Sequence, residues 1–304
     1  MAGGTAEQGL GERAAAGDAE AMVRLALTCT AAGDTASAQQ WLERATEAGS
    51  VDALFVRGVV AESAGDQRDA YTWWLRAAEA GNSDAMFNLS ISAKEAGEAA
   101  NAAAWLERAA EAGNGAALHN LGVQALEAGE IATAEAWFER GADTGRAESM
   151  LALADLLERR DQNAQAAQWY AKALTTGGGN GETEYRYAVC LGKAGNEEQA
   201  KVHLLRAATV KHAPAAVLLG DLARAAGRRD EAAYWYTTAA DLGAAAGLLG
   251  LSLVRADEGD FATAEKALRR AAEVGEPRAV GLLAELQSAR SGGASMPEHP
   301  KGSA

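Results

Sequence analysis

The chain repeats itself every 32 residues, and no other feature limits its fold as much. Tryptophans stand at 41, 73, 105, 137 and 169, with Trp74 doubling the second. A step of 34 then leads to His203, and steps of 32 resume through Trp235 to Ala267. Eight residues after each of these positions comes a glycine, from Gly49 to Gly275, with Lys211 the one departure. Eight residues before each comes another, from Gly33 to Gly259, with Asp161 the departure. Eight copies in phase mark a repeat architecture before any secondary structure is considered.

The two glycines cut each copy into two segments of about fourteen residues, each enough for a helix of roughly 20 Å at 1.5 Å per residue. Glycine readily takes the left-handed conformation that ends a helix, and Gly33-Asp34, Gly65-Asp66 and Gly129-Glu130 then place an acid at the next helix start. Within the first segment a small residue recurs at Ala26, Gly58, Ser90, Gly122, Ala154, Ala188, Gly220 and Ser252. Within the second, alanine recurs three before the Trp position, from Ala38 to Ala264. Small residues at two fixed points predict two helix backbones in close approach. The Trp and leucines such as Leu25, Leu89 and Leu121 are then expected to fill the space around the crossing. One pair cannot bury its apolar face alone, so pairs must stack. The expectation is an all-α solenoid of about eight helix-turn-helix repeats.

The spacing of small residue, alanine and aromatic resembles the tetratricopeptide repeat. The run Ala-x-x-Trp-[Leu/Tyr/Phe]-x-[Arg/Lys]-Ala, as from Ala102 to Ala109, looks more like its Sel-one-like subfamily, as does the connection from Ala110 to Asn114. The turn inside each pair, Ala-Gly-Asp or Ala-Gly-Glu, lacks the longer insert usual there. The resemblance covers roughly residues 5–290. It implies a right-handed superhelix in which the first helices line a concave groove, and such folds host many partners.

Phase also assigns the ends and a seam. Residues 1–17 are expected to form a cap helix, 18–176 repeats one to five, and 182–290 repeats six to eight with a closing cap helix started by Pro277. Residues 291–304 read as a disordered tail. The two-residue insertion falls in Gly177-Gly178-Gly179-Asn180-Gly181, a run that cannot cheaply continue a helix, and 177–181 reads either as a hinge or as a tolerated loop. Repeat six is the irregular copy. His203 replaces its Trp, Glu184 its usual Met or Leu, and Lys211-His212-Ala213-Pro214 forms its exit.

Composition removes several functions. Against 28 Lys and Arg stand 42 Asp and Glu, a net of −14 that disfavours nucleic acid as a partner. The acid is uneven: residues 1–160 hold 25 acidic and 12 basic residues, a net of −13, and residues 161–304 hold 17 and 16, a net of −1. No run of 18 apolar residues occurs, so no membrane span is expected. The first residues lack a basic and an apolar region, so no secretory signal is expected and the cytoplasm is the default compartment. Cys29 and Cys190, five repeats apart, read as small core residues rather than a disulfide or zinc site. His119, His203, His212 and His299 show no metal-ligand spacing. No catalytic residue, metal site or cofactor is expected.

The concave face is the remaining candidate. One first-helix phase includes Phe55, Phe87, His119, Leu151 and Tyr185, and one turn on come Val59, Ile91, Val123 and Asp155. Residues four apart share a helix face, and this one is more apolar than solvent exposure alone would select. Asn88 and Asn120 sit beside it, and asparagines at this phase resemble a ladder that hydrogen-bonds an extended peptide backbone. Asp52, Glu62, Asp84, Glu95 and Glu127 near the rim would favour a basic or amphipathic partner. The leading expectation is therefore a non-catalytic scaffold or adaptor that cradles a peptide or helix of a partner protein. Alternatives are a switch working through 177–181, a self-associating scaffold, and a hydrolase using Asp155 and Asp221. The oligomeric state is left open.

Overall fold

The computed structural model describes residues 3–292, and every regular element among them is an α-helix. α1 (Gly3–Ala15) precedes the first pair, α2 (Ala19–Ala31) and α3 (Thr35–Glu47). The next pairs are α4 (Val51–Ser63) with α5 (Gln67–Glu79), α6 (Ser83–Glu95) with α7 (Ala99–Glu111), and α8 (Gly115–Glu127) with α9 (Ile131–Asp143). Then come α10 (Ala147–Arg159) with α11 (Asn163–Thr175), and α12 (Gly181–Lys193) with α13 (Glu197–Thr209). Last are α14 (Ala213–Ala225) with α15 (Arg229–Asp241), α16 (Ala245–Asp257) with α17 (Phe261–Glu273), and α18 (Pro277–Gly292). Ser291 and Gly292, expected in the tail, end α18, and 293–304 lie outside the described residues. Within each unit, consecutive helices pack on each other, as in a helical-repeat solenoid. The chain forms two compact units, Met1–Ser149 and Met150–Ala304, with the division inside α10.

The turns explain the glycine phase. Gly33 and Gly65 have φ of 78° and 81°, and where the sequence departs from glycine, Asp161 and Lys211 adopt the same region at 56° and 64°. A side chain there costs about 1–2 kcal/mol, so the turn imposes its conformation even on residues that resist it. The following residue caps the next helix. Asp34, Asp66, Asn82 and Asn114 each accept a hydrogen bond from the N–H three residues on. Glu98 and Glu130, one methylene longer, make no such bond. These bonds hold three cap carboxyls below the usual 3.8. The donors are the Ala21 N–H and the Arg13 side chain for Asp18, the hydroxyl and N–H of Ser37 for Asp34, and those of Thr263 for Asp260.

The side chain that fills each crossing is not the repeated Trp but the residue after it. Leu42, Trp74, Leu106, Phe138, Tyr170, Leu204, Tyr236 and Leu268 are at most 6% exposed, whereas Trp41, Trp73, Trp105, Trp137, Trp169 and Trp235 are half-buried. The expectation that Trp fills the crossing is thus corrected by one position. The physical reason is helical phase: Ala38, Leu42 and Ala45, spaced by four and three, form the buried row of α3, and Trp41 lies about 100° around the helix from Leu42. Except at Trp235, whose ring meets Tyr234 edge-on, these half-buried indoles are covered by a cation. Arg44 lies 4.6 Å from the Trp41 ring centroid, Arg108 4.1 Å from Trp105, Arg140 4.7 Å from Trp137 and Lys172 3.8 Å from Trp169.

Residue sizes across the crossing are matched. Gly58, Gly122 and Gly220 face Trp74, Phe138 and Tyr236, and a Cβ at Gly122 or Gly220 would stand 2.5 or 2.6 Å from the opposing ring. Where the partner is Leu42, Leu106, Leu204 or Leu268, the same phase holds Ala26, Ser90, Ala188 or Ser252. Repeat six is repaired in a comparable way. Two of its departures meet each other: His203 Nδ1 lies 2.5 Å from Glu184 Oε2, and Tyr187 stacks on His203 at 4.4 Å. Of the cysteines, Cys190 is fully buried, which pushes its thiol up to about 12, and Cys29 is half-buried.

Two outcomes are expected. Gly122→Ala should destabilise the protein by about 1–3 kcal/mol through overpacking, and adding Phe138→Leu should recover part of that loss. Urea denaturation of the four-member cycle measures the coupling, and purely additive effects would contradict the size matching. The depressed carboxyls contribute stability above their unfolded value of 3.8, lost as pH falls through their lower folded values. The triple Asp18→Asn, Asp34→Asn, Asp260→Asn variant keeps its caps, so its melting temperature should match wild type at pH 7 and fall less steeply below about pH 4.

Candidate functional site

The residues expected to line a groove divide between the two units. Phe55, Val59, Phe87, Asn88, Ile91, His119, Asn120 and Val123 belong to the first, and Leu151, Asp155 and Tyr185 to the second. In the first unit α2, α4 and α6 carry an exposed apolar row, Leu27, Val59 and Ile91, at 47%, 36% and 42% exposure. Val123 of α8 continues the phase and is half-buried. One turn back, Phe55 and Phe87 are half-buried and pack against the core around Trp74, Leu89 and Leu106. The face is therefore layered: aromatic rings set into the core, with aliphatic side chains standing in solvent.

The polar groups beside this row differ in how far they are committed. Asn88 is half-buried and Asn120 exposed, and no side-chain partner among the described residues takes up either carboxamide. Asp84, by contrast, accepts a 2.7 Å bond from Asn114 Nδ2, which links α6 to the cap of α8. His119 stacks on Phe138 with centroids 5.5 Å apart, and its Nδ1 lies 3.5 Å from Ser149 Oγ. Burial, assisted by the charge of Arg146 and opposed by that of Glu148, lowers its pKa below the ordinary 6.5. At neutral pH His119 thus presents an uncharged ring. The first unit holds 10 basic and 23 acidic residues, a net of −13.

The second unit contains a polar cluster that sequence reasoning did not assemble. The Tyr170 hydroxyl lies 2.7 Å from Asp155 Oδ1 and 2.9 Å from Glu158 Oε2. Arg186 reaches back from α12 to pair with Asp155, and at 2.7 Å with Glu158. It does so across the 177–181 insertion, tying α12 to α10. The sequence signals were present but weak: Arg186 occupies the phase of Asn88 and Asn120, and Tyr170 the phase of the core leucines. Asp155 is therefore held by an arginine and a tyrosine. Asp221 is similarly bound by the Tyr236 hydroxyl at 2.6 Å. Burial first, and then these hydrogen bonds, raise both tyrosine pKa values, so both hydroxyls stay protonated and donate to the carboxylates. Tyr185 stacks on His212 at 4.9 Å. His212 accepts from the Ala215 N–H at Nδ1, which leaves Nε2–H to donate to Glu182 at 2.9 Å.

Among the described residues no three His, Cys, Asp or Glu side chains stand close enough to hold a metal ion, and no helix is long and apolar enough to cross a membrane. The arrangement offers shape, apolar surface and hydrogen-bonding groups. No family model and no curated protein matches the chain. Among solved structures it is similar to a Sel1 repeat protein from Oxalobacter formigenes, at 23% identity and TM-score 0.48 over 93% of this chain and 91% of that one. It is also similar to the protein MamA, at 19% identity and TM-score 0.47 over 55% and 94%. A third similar structure is YrrB, described as a TPR protein with an unusual peptide-binding site, at 20% identity and TM-score 0.46 over 55% and 90%.

Replacing Arg186 with Ala would leave two carboxylates facing each other beside Tyr170. A loss of about 1–3 kcal/mol in urea denaturation is expected, only partly restored by Lys, whose point charge cannot reproduce the fork. An Arg186→Ala protein as stable as wild type would show the cluster to be dispensable.

Proposed function

We propose that this protein is a non-catalytic interaction scaffold whose first unit holds an extended or helical peptide of a partner protein along the first-helix face. The observation that carries this reading is the exposed aliphatic row Leu27, Val59 and Ile91, running beside uncommitted carboxamides at Asn88 and Asn120. Isolated surface leucines need no explanation, but a row kept in phase over three repeats forms a contiguous apolar strip of the kind that marks binding surfaces. In this reading Phe55, Phe87 and His119 give the strip its rigid floor. Asn88 and Asn120 pair with the partner's backbone, each carboxamide supplying a donor and an acceptor to one peptide unit.

The net of −13 in this unit favours a partner that carries Lys or Arg between its apolar residues, captured faster at low salt. Leu151, Asp155 and Tyr185 extend the same phase in the second unit, where Asp155 acts through its ion pair rather than as a free anion. Neutral His119 contributes ring surface and a hydrogen bond, not charge.

Panning a random peptide library against the intact chain and titrating the selected peptides tests this. Selected peptides should alternate apolar with basic residues. Ile91→Asp should abolish their binding, and the Phe87→Ala, Asn120→Ala double variant should weaken it at least tenfold, with helical circular dichroism unchanged. Selected peptides that bind these variants as well as wild type would overturn the assignment.

A further inference from the structure

The second unit carries a cavity of about 490 Å³ that the reading above does not use. Its size falls in the range of sites that hold small ligands. Its walls come from α14, α16 and the closing helix α18, and Tyr236 of α15 reaches in between Gly220 and Gly250. A Cβ at either glycine would collide with that ring, so the aromatic is fixed from both sides. Leu249, Leu253 and Leu282 supply apolar wall.

Three charged side chains line the same cavity, Asp221, Arg224 and Arg278. Asp221 is already engaged by the Tyr236 hydroxyl at 2.6 Å, and the positive charge of Arg224 acts on that same hydroxyl. Arg278 has no ion pair among the described residues, although other arginines of this region do. Arg255 meets Glu258 at 2.7 Å and Arg269 meets Glu265 at 2.6 Å. Arg278 also sits in the first turn of α18, where the aligned peptide dipoles are already positive and a cation is disfavoured. The one acid nearby in sequence, Glu276, accepts from the Arg278 backbone N–H at 3.3 Å and does not line the cavity. Stability alone would place an acid at Arg278. Two guanidiniums against one committed carboxylate leave the cavity net positive, in a unit with 18 basic and 19 acidic residues and in a chain of net −14.

We propose that this cavity is a second binding site and takes an acidic peptide segment. Arg224 and Arg278 receive Asp or Glu carboxylates, and the leucine wall receives the apolar side chains between them. Guanidinium forks match carboxylates in geometry as well as charge. The closing helix is then more than a cover for the last repeat, because it contributes Arg278 and Leu282 to the site. Acidic and basic segments would engage different units of one chain.

The test is isothermal titration calorimetry on the full chain with an end-blocked nine-residue peptide alternating leucine with aspartate and glutamate. The peptide with asparagine and glutamine in place of the acids is the control, and inorganic phosphate is the free-anion arm. The acidic peptide should bind, the amide peptide at least tenfold more weakly, and phosphate should not displace it at equal concentration. Arg278→Glu, at an exposed position, should weaken binding at least tenfold without altering helical circular dichroism. The Phe87→Ala, Asn120→Ala variant should bind the acidic peptide as wild type does, which separates this site from the first unit's face. Absence of binding, equal binding of acidic and amide peptides, displacement by phosphate alone, or full binding by Arg278→Glu would each overturn the proposal.

Discussion

The close crossing of two helices within each pair is the constraint on which everything else depends. At that point one helix must present almost no side chain and the other a well-fitted one. The sum of the two sizes is what is held roughly constant, since Gly accompanies Trp74, Phe138 and Tyr236 while Ala or Ser accompanies leucine. Tyr170 opposite Ala154 is the exception, and there the aromatic hydroxyl is drawn toward Asp155 and Glu158. A close-packed interior tolerates such exchanges only in matched pairs. With the crossing fixed, the direction of each first helix follows, and with it the phase that reaches solvent.

Much of this was legible in the sequence because its signals are local and periodic. The glycine phase located the turns, and its two interruptions, Asp161 and Lys211, keep the glycine-like backbone. The motif Trp-x-x-Arg or Trp-x-x-Lys was visible as text, and in space it is a cation lying on an indole. What periodicity does not settle is which of two adjacent bulky residues faces inward, because one position corresponds to about 100° of helix rotation. Trp41 and Leu42 are both large and apolar, and only the contact row decides between them.

The less legible features join residues far apart in sequence. His203 and Glu184 each read as a defect when taken singly, and as a pair they replace an apolar contact with a hydrogen-bonded one. Arg186 lies 28 residues from Glu158 and 31 from Asp155, so nothing in a local window links them. Of the site, the sequence showed the phase of the apolar strip and the place of both asparagines. It did not show that Asp155 is already occupied, that Asn88 and Asn120 are uncommitted, or that Arg278 reaches a cavity.

The matched crossings also bear on how such a chain can be cut and rejoined. Gly58 and Trp74 lie on opposite sides of the turn at Gly65, so a break there would send the cavity and its filler to different products. A break at Gly49 or Gly81 keeps the couple together, and the fragment between carries its own fitted crossing wherever it is inserted. Tyr236 is the exception, because it is wedged against Gly250 of the next pair as well as Gly220 of its own. The last two copies are therefore a single heritable block, while Gly58 and Trp74 mark a copy whose crossing moves as a self-contained cassette.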